Sequence, residues 1–275
     1  MELDGRHVVV TGAGSGIGRA CAVRFAAEGA RRVVVADLDL ARAEAVAAQI
    51  GAVAAAVGVD VSREPEIRAL VQRTREAGGA IDLFFSNAGI GGPPGGPEAP
   101  DDELQRTHEV NVMAHVWAAR ALLPEMIERG DGYLLSTASA AGLLTQVSAL
   151  AYSYTKHAAV AVAEWLSITY RDAGVKVSCL CPQGVRTPML DRALEDPVGA
   201  APLLAGGLLE PEDVAEAVVQ GIHQEDFLIL PHADVARHLA LKGAAPERWL
   251  NGMRRLVREA RAGKPVDSGE PGGAS

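Results

Sequence analysis

Cysteine, aromatic residues and positive charge are all scarce in this chain. Of 275 residues three are cysteines, 4% are aromatic, and 26 Lys+Arg stand against 35 Asp+Glu, for a formal charge of −9. Three thiols, at positions 21, 179 and 181, cannot all pair and fall far short of a disulfide scaffold, so a reducing compartment is expected. Cys179 and Cys181 flank one residue and would share a strand face. Without a second pair or a nearby histidine they make no zinc site, and buried structural thiols with no metal are expected. With Ala, Val, Leu and Gly supplying most of the apolar residues, the shortage of rings argues against an aromatic-rich β-sandwich. The net acidity argues against a nucleic-acid partner, which would require a basic face. No run approaches the ~18 apolar residues of a membrane span, and the MELDGRH start lacks the features of a signal peptide, so a cytoplasmic protein is expected. The seven histidines include no His-Glu-x-x-His, and no Gly-x-Ser-x-Gly elbow occurs, which removes metalloprotease and esterase readings.

What is present is order. Short β-branched runs alternate with longer segments of helical period, the pattern of a doubly wound α/β protein with helices on both faces of a parallel sheet. Strands are expected at 7–10, 33–36, 54–59, 81–85, 133–136, 176–180 and 227–230, and helices at 40–50, 101–129 and 152–171. Ser62 is placed to cap a helix whose first turn holds Glu64, Pro65 and Glu66, and Pro124 marks a bend in the helix 101–129. One domain is expected over 1–245, with the Gly/Pro-rich stretch 89–100 as a loop inside it. In 246–263, Trp249, Leu250, Met253, Leu256 and Val257 form an apolar stripe among arginines, an amphipathic helix that packs on its own domain or on a sister subunit. Residues 264–275 are expected to be disordered. Residues 246–275 carry a net charge of +2, so the acidity belongs to the preceding body.

Thr11-Gly12-Ala13-Gly14-Ser15-Gly16-Ile17-Gly18 follows the first strand and opens the first helix. That placement is what a dinucleotide loop requires: glycines let the backbone approach a pyrophosphate, and helix-start amides favour the anion. Asp37 stands nineteen residues after Gly18 at the end of strand two, where a carboxylate accepts both ribose hydroxyls and repels a 2′-phosphate. Ser15 also lacks the positive charge that a 2′-phosphate would favour. Both positions favour NAD over NADP, with Arg19, Arg31 and Arg32 as the opposing charges.

Among four tyrosines only Tyr152 has a lysine four residues on, Lys156, which on a helix puts both on one face. A phenol near pKa ~10 is a poor acid/base at neutral pH, and an adjacent ammonium, aided by the positive charge of an oxidised nicotinamide, would lower it toward the working range. Ser139 follows the strand 133–136 and precedes Tyr152 by thirteen residues, so its hydroxyl can emerge where ligands bind and polarise a carbonyl. Ser136 is the competitor but lies within the strand. His157 adjoins Lys156 on a different helical face and reads as a packing residue.

The set Thr11–Gly18, Asn87-Ala88-Gly89, Ser139 and Tyr152-x-x-x-Lys156 resembles the short-chain dehydrogenase/reductase family in its compact single-domain form, over about residues 5–232. The resemblance implies a Rossmann-type fold, a nicotinamide cofactor, and hydride transfer between a carbonyl and an alcohol. It makes Tyr152 the general acid/base, Lys156 its partner and ribose holder, Ser139 the polarising serine, and Asn111 the binder of a relay water. It places Gly12, Ser15, Gly16, Ile17 and Gly18 on the pyrophosphate, Asp60 and Val61 at the adenine edge, and 87–89 beside the adenine ribose. Pro182, Gly184, Val185 and Thr187 would line the nicotinamide. Gln183 stands where the family usually has glycine, so either Gly184 takes the turn or the nicotinamide floor differs; Ser86 replaces a frequent asparagine. The stretch 189–210 resembles a substrate lid, and its apolar content suggests a hydrophobic alcohol or ketone. A homodimer or homotetramer is implied by resemblance. A dinucleotide-binding regulator without turnover and an NADP-dependent ketoreductase are the alternative readings.

Overall fold

Strand runs buried along their whole length decide the architecture, because such strands are stable only when both sheet faces are covered. The structure, a computed structural model, describes residues 1–263; the tail expected at 264–275 lies outside the described residues. The first half runs β1 (His7–Thr11), α1 (Gly16–Ala27), β2 (Arg32–Asp37), α2 (Leu40–Ile50), β3 (Ala54–Gly58), α3 (Glu64–Gly78) and β4 (Leu83–Ser86). The second half begins with α4 (Asp101–His108), a π turn (Glu109–Met113), α5 (Ala114–Arg129), β5 (Gly132–Thr137), α6 (Ala141–Leu144), α7 (Leu150–Tyr170) and β6 (Val175–Leu180). It ends with β7 (Gly184–Val185), α8 (Pro188–Ala193), α9 (Pro197–Ala205), β8 (Leu208–Leu209), α10 (Pro211–Gln224), β9 (Leu228–Ile229), α11 (Ala233–Ala244) and α12 (Pro246–Arg261).

Seven parallel strands form one sheet in the order β3-β2-β1-β4-β5-β6-β9. The expected doubly wound Rossmann-type α/β fold is therefore present. One apolar layer, with Val9, Val34, Phe84 and Leu134, packs under α3, α5 and α7; the other, with Val8, Val10, Phe85 and Leu135, packs under α1 and α10. The winding reverses between β1 and β4, and a crevice opens at the carboxyl ends of the strands beside that switch, where such sheets bind ligands.

Local physics explains both agreement and difference. Helix α2 begins where Asp39 accepts from the Arg42 amide and stops at Gly51, whose φ is +95°. Ser62 does not cap α3: Arg63 is the N-cap residue, and the Ser62 hydroxyl donates instead to Asp60 at 2.8 Å, a charged acceptor nearer at hand. The expected helix 101–129 is two α-helices joined by the π turn, and Pro124 lies inside α5. The strand pair β7–β8 joins the two ends of the stretch read as a lid, with α8 and α9 between them. All three cysteines are buried and free, with Cys179 and Cys181 Sγ atoms 3.8 Å apart. The His157 ring meets its own helix at the Ser153 carbonyl. Among the described residues no group of metal-ligating side chains occurs, and no helix is long and apolar enough to cross a membrane.

Candidate active site

The glycine loop leaves β1 at Thr11 and enters α1 through Ser15, an extended N-cap residue that makes no side-chain capping bond. A Cβ on Gly18 would lie 2.3 Å from the Gly12 carbonyl oxygen and 2.5 Å from Asn87 Nδ2. Gly18→Ala is expected to destabilise the chain by about 1–3 kcal/mol, because backbone must move to admit the methyl group. Thermal denaturation should show this as a fall in Tm of about 2–6 °C.

Asp37 Oδ2 accepts from the Gly14 amide at 2.8 Å and Oδ1 from the Asp39 amide at 3.0 Å, so the carboxylate is anchored against the loop. The three arginines weighed against NAD have other partners. Arg19 donates to Gln49, Arg31 to the Gly78 carbonyl, and Arg32 to the Ala77 carbonyl. A cation the sequence analysis missed stands nearer: a Cβ on Gly14 would lie 2.8 Å from Arg42 Cβ, and Arg42 pairs with Asp39 at 3.1 Å.

Asp60 accepts from the Ser62 amide and hydroxyl and from Arg106. Burial opposes its ionisation, but these bonds hold its carboxyl below the usual range. Val61 beside it is buried. Asn87 ties three strand ends together. Its amide N–H donates to Thr11 Oγ1 and its Nδ2 to the Thr11 and Gly12 carbonyls, while Oδ1 accepts from Thr137 Oγ1. Ala88 donates to Thr11 Oγ1 as well.

Across the crevice, Ser139 leaves the end of β5, accepts from the Ala141 amide at 3.1 Å and donates to the Pro182 carbonyl at 3.4 Å. Tyr152 and Lys156 lie one turn apart on α7, with Lys156 Nζ 5.6 Å from the Tyr152 ring centroid. Lys156 is buried and donates to the Thr137 carbonyl at 2.9 Å. Burial pushes the ammonium down to about 8, against the opposing pull of Cys179 and Cys181. The Tyr152 phenol is not lowered by the protein's own groups. Burial raises it above its ordinary value, and the Ser139 hydrogen bond lowers it only in part. Asn111, on the π turn, binds the Ile90 amide through Oδ1 and donates through Nδ2 to the Ile90 carbonyl and Thr155 Oγ1.

Neither Gln183 nor Gly184 takes a positive φ, so the floor at 182–187 differs from a glycine turn. Gln183 is held instead by its neighbours: its amide donates to His232 Nδ1 at 3.2 Å and its Nε2 to the Pro202 carbonyl on α9 at 2.6 Å. With Nδ1 accepting, His232 Nε2 donates to the Gly184 carbonyl, and burial pushes the imidazole down toward this neutral form. Neither His232 nor Thr137 carries a local sequence signal, since their partners come from distant segments. Thr187 crosses to the glycine loop, where a Cβ on Gly16, at φ +51°, would lie 2.9 Å from Thr187 Cγ2. The crevice is thus closed between the loop and the 182–187 segment. The loop 145–149, between Ser139 and Tyr152, holds Thr145 and Ser148 at positive φ, strain of a kind that clusters at functional sites. It walls an apolar cleft of about 440 Å³ with Trp249, Leu250, Met253 and Val257 of α12.

The family profile described as short chain dehydrogenase matches residues 6–197. The chain is 38% identical over 269 residues to 1-deoxy-11-beta-hydroxypentalenate dehydrogenase of Streptomyces exfoliatus, covering 91% of this chain and 95% of that one. A short-chain dehydrogenase/reductase from Burkholderia phymatum, solved with NAD, superposes with a TM-score of 0.80 at 32% identity, covering 90% and 96% of the two chains. One from Sphingobium yanoikuyae, solved with NADPH, gives 0.76 at 26% identity, covering 88% and 94%. The chain belongs to the short-chain dehydrogenase/reductase family. It is an oxidoreductase acting on CH–OH groups with NAD(P).

Proposed function

We propose that this chain is an NAD-dependent dehydrogenase that interconverts a secondary alcohol and a ketone on a hydrophobic substrate, with Tyr152 as general acid/base. The observation that carries the reading is the meeting of Ser139, Tyr152 and Lys156 at strand ends that the glycine loop and Thr187 border. The residues fit a dinucleotide: Gly18 has no room for a Cβ, and Asp37 is fixed beside the loop as an anionic acceptor. Bound NAD would supply the hydride acceptor. The 12–18 loop would hold its pyrophosphate, Asp37 the adenosine ribose, Asp60 and Val61 the adenine, and Asn87, Ala88 and Gly89 the turn beside it. Tyr152 and Lys156 would hold the second ribose, and Pro182, Gly184, Val185 and Thr187 would flank the nicotinamide.

The chain's own residues then divide the chemistry. Ser139 orients the alcohol oxygen and stabilises the charge that develops on it. Tyr152 removes the hydroxyl proton. Burial works against its phenolate and the Ser139 hydrogen bond offsets this in part; the Lys156 cation over the ring would favour ionisation further. Asn111 braces α7 through Thr155, next to Lys156.

The apolar content of 189–210 and of the cleft under α12 supports a hydrophobic substrate, as does the relative whose name specifies a hydroxypentalenate. Residues 189–210 act as the lid of one catalytic domain, 1–245, to which the helix 246–263 is appended. Pairing into a homodimer or homotetramer through α5 and α7 belongs to the same reading, supported by Trp165 and Ile168, 59% and 83% exposed on α7. A cytoplasmic location fits the three unpaired thiols. The test is a panel of alicyclic secondary alcohols and ketones assayed with NAD and NADP in parallel. Turnover with kcat/KM about tenfold or more higher for NAD is expected, in keeping with an acidic ribose site. Turnover confined to small charged hydroxy acids, or a preference for NADP, overturns the reading.

A further inference from the structure

Helix α9, inside the stretch 189–210, has little stability of its own. Nine residues are fewer than the ~12–15 a helix needs to persist alone in water, and Pro202 within it has no amide hydrogen to offer the Val198 carbonyl. Asp196 caps its start by accepting from the Val198 amide at 3.0 Å. Two hydrogen bonds reach it from outside the stretch, and both come from glutamine carboxamides. Gln146 Nε2 donates to the Gly199 carbonyl at 2.5 Å, and Gln183 Nε2 donates to the Pro202 carbonyl at 2.6 Å. The two acceptors are three residues apart, on one side of the helix. Pro202 is also among the last four residues of α9, whose carbonyls have no partner within a helix.

The donors stand on opposite walls of the crevice. Gln146 follows Ser139 in the loop 145–149, where its amide donates to Ser153 Oγ at 3.0 Å and its carbonyl accepts from the same atom at 2.7 Å. Ser153 is the neighbour of Tyr152 on α7, so the loop is tied to the helix that carries the tyrosine. Gln183 lies in the 182–187 floor, its amide fixed by His232. Its Oε1 has no hydrogen-bond partner among the described residues, so the Pro202 carbonyl alone orients the carboxamide. The fit is close: a Cβ on Gly206 would lie 2.3 Å from that Oε1. We propose that Gln146 and Gln183 are positioning residues that latch α9 across the crevice, one from the wall of Ser139 and Tyr152 and one from the nicotinamide floor; the role rests on the reading of 189–210 as the lid. A hydrogen bond between neutral groups changes an equilibrium by about 3–10-fold. Both bonds must break before the lid lifts, so their factors multiply.

Hydrogen exchange of the α9 amides in the full chain reads lid opening directly. Exchange should quicken about 3–10-fold in Gln146→Met and in Gln183→Ala, and by about the product of the two in the double variant, with β1 and β5 at the wild-type rate. Gly206→Ala is the sharper variant. Alanine is the better helix former, and Gly206 has a φ of −82° that alanine adopts freely, so local propensity alone would slow exchange. Displacement of the Gln183 carboxamide by the new methyl group should instead quicken it about 3–10-fold, with no further change when Gly206→Ala is added to Gln183→Ala. In turnover with the alcohol panel, the KM for the alcohol should rise about 3–10-fold in the same variants, with kcat changed less. Folded variants with wild-type α9 exchange, or a Gly206→Ala with slower exchange, overturn the latches and leave the lid reading standing. Faster exchange with an unaltered KM for the alcohol refutes the lid reading and this role with it. Should Gln183→Ala fail to fold, Gln146→Met and Gly206→Ala, which leave the 182–187 sequence intact, decide by the same outcomes.

Discussion

Tyr152→Phe is expected to lose about a thousandfold or more in kcat while NAD binding stays within about threefold of wild type, since acid/base groups contribute about 10²–10⁴. The change removes one hydroxyl and keeps the ring that packs against Lys156. The hydrogen bond with Ser139 is lost, but Ser139 keeps its bonds to Ala141 and Pro182, so the site holds its shape. NADH absorbance against the alcohol panel reads the rate, and calorimetric titration with NAD reads binding. Equal activity of variant and wild type would refute the assignment, and would leave a dinucleotide-binding role as the better reading. In the wild type, alcohol oxidation should rise with pH as the phenol ionises and level off above pH about 8, where Lys156 loses its proton. The sign follows from the charge: the cation favours the phenolate below that value and is gone above it.

Asp37→Ser is expected to reverse the cofactor preference. The carboxylate accepts from the Gly14 amide of the glycine loop and from the Asp39 amide beyond β2, and presents a negative charge where a 2′-phosphate would lie. Charge-assisted hydrogen bonds to ribose hydroxyls are worth about 1.5–3 kcal/mol, so kcat/KM with NAD should fall by about 10–100-fold. Activity with NADP should rise, because the repulsion is gone and Arg42, exposed at the same rim, becomes the nearest charge to the phosphate. Paired assays with the two cofactors measure the ratio. A variant that still prefers NAD tenfold would show that selectivity is set elsewhere, with the Gly14 region as the first place to look. A fall in Tm of a few degrees should accompany the switch, since the Gly14 amide loses its charged acceptor.

Much of the fold could be read from residues alone, for reasons that differ by element. Helix α2 is legible to the residue because Asp39 caps it and Gly51 stops it. The β1, β4 and β5 runs are legible because unbroken apolar segments are what a doubly covered sheet requires. Ser62 misleads because capping and carboxylate binding use the same hydroxyl, and the choice between them depends on Asp60. Helices α10 and α11 have no motif in them, although Glu210 and Asp213 form a capping box, with Pro211 at the first helical position, that announces the first. In the site, the glycine loop, Asp37, Ser139, Tyr152 and Lys156 are legible as spacings. Arg42, Thr137 and His232 are not, because each matters through a partner that only the tertiary fold supplies.

The π turn at Glu109–Met113 contains one residue more per turn than an α-helix needs. Deleting a single residue there would let α4 and α5 merge into one regular helix, with better hydrogen-bond geometry and greater intrinsic stability. The same deletion would swing everything before it by about 100° relative to α5. Asn111 would then no longer face both Ile90 and Thr155. The segment is a trade of stability for function: a chain shortened by one residue here would be sturdier, with its site dismantled.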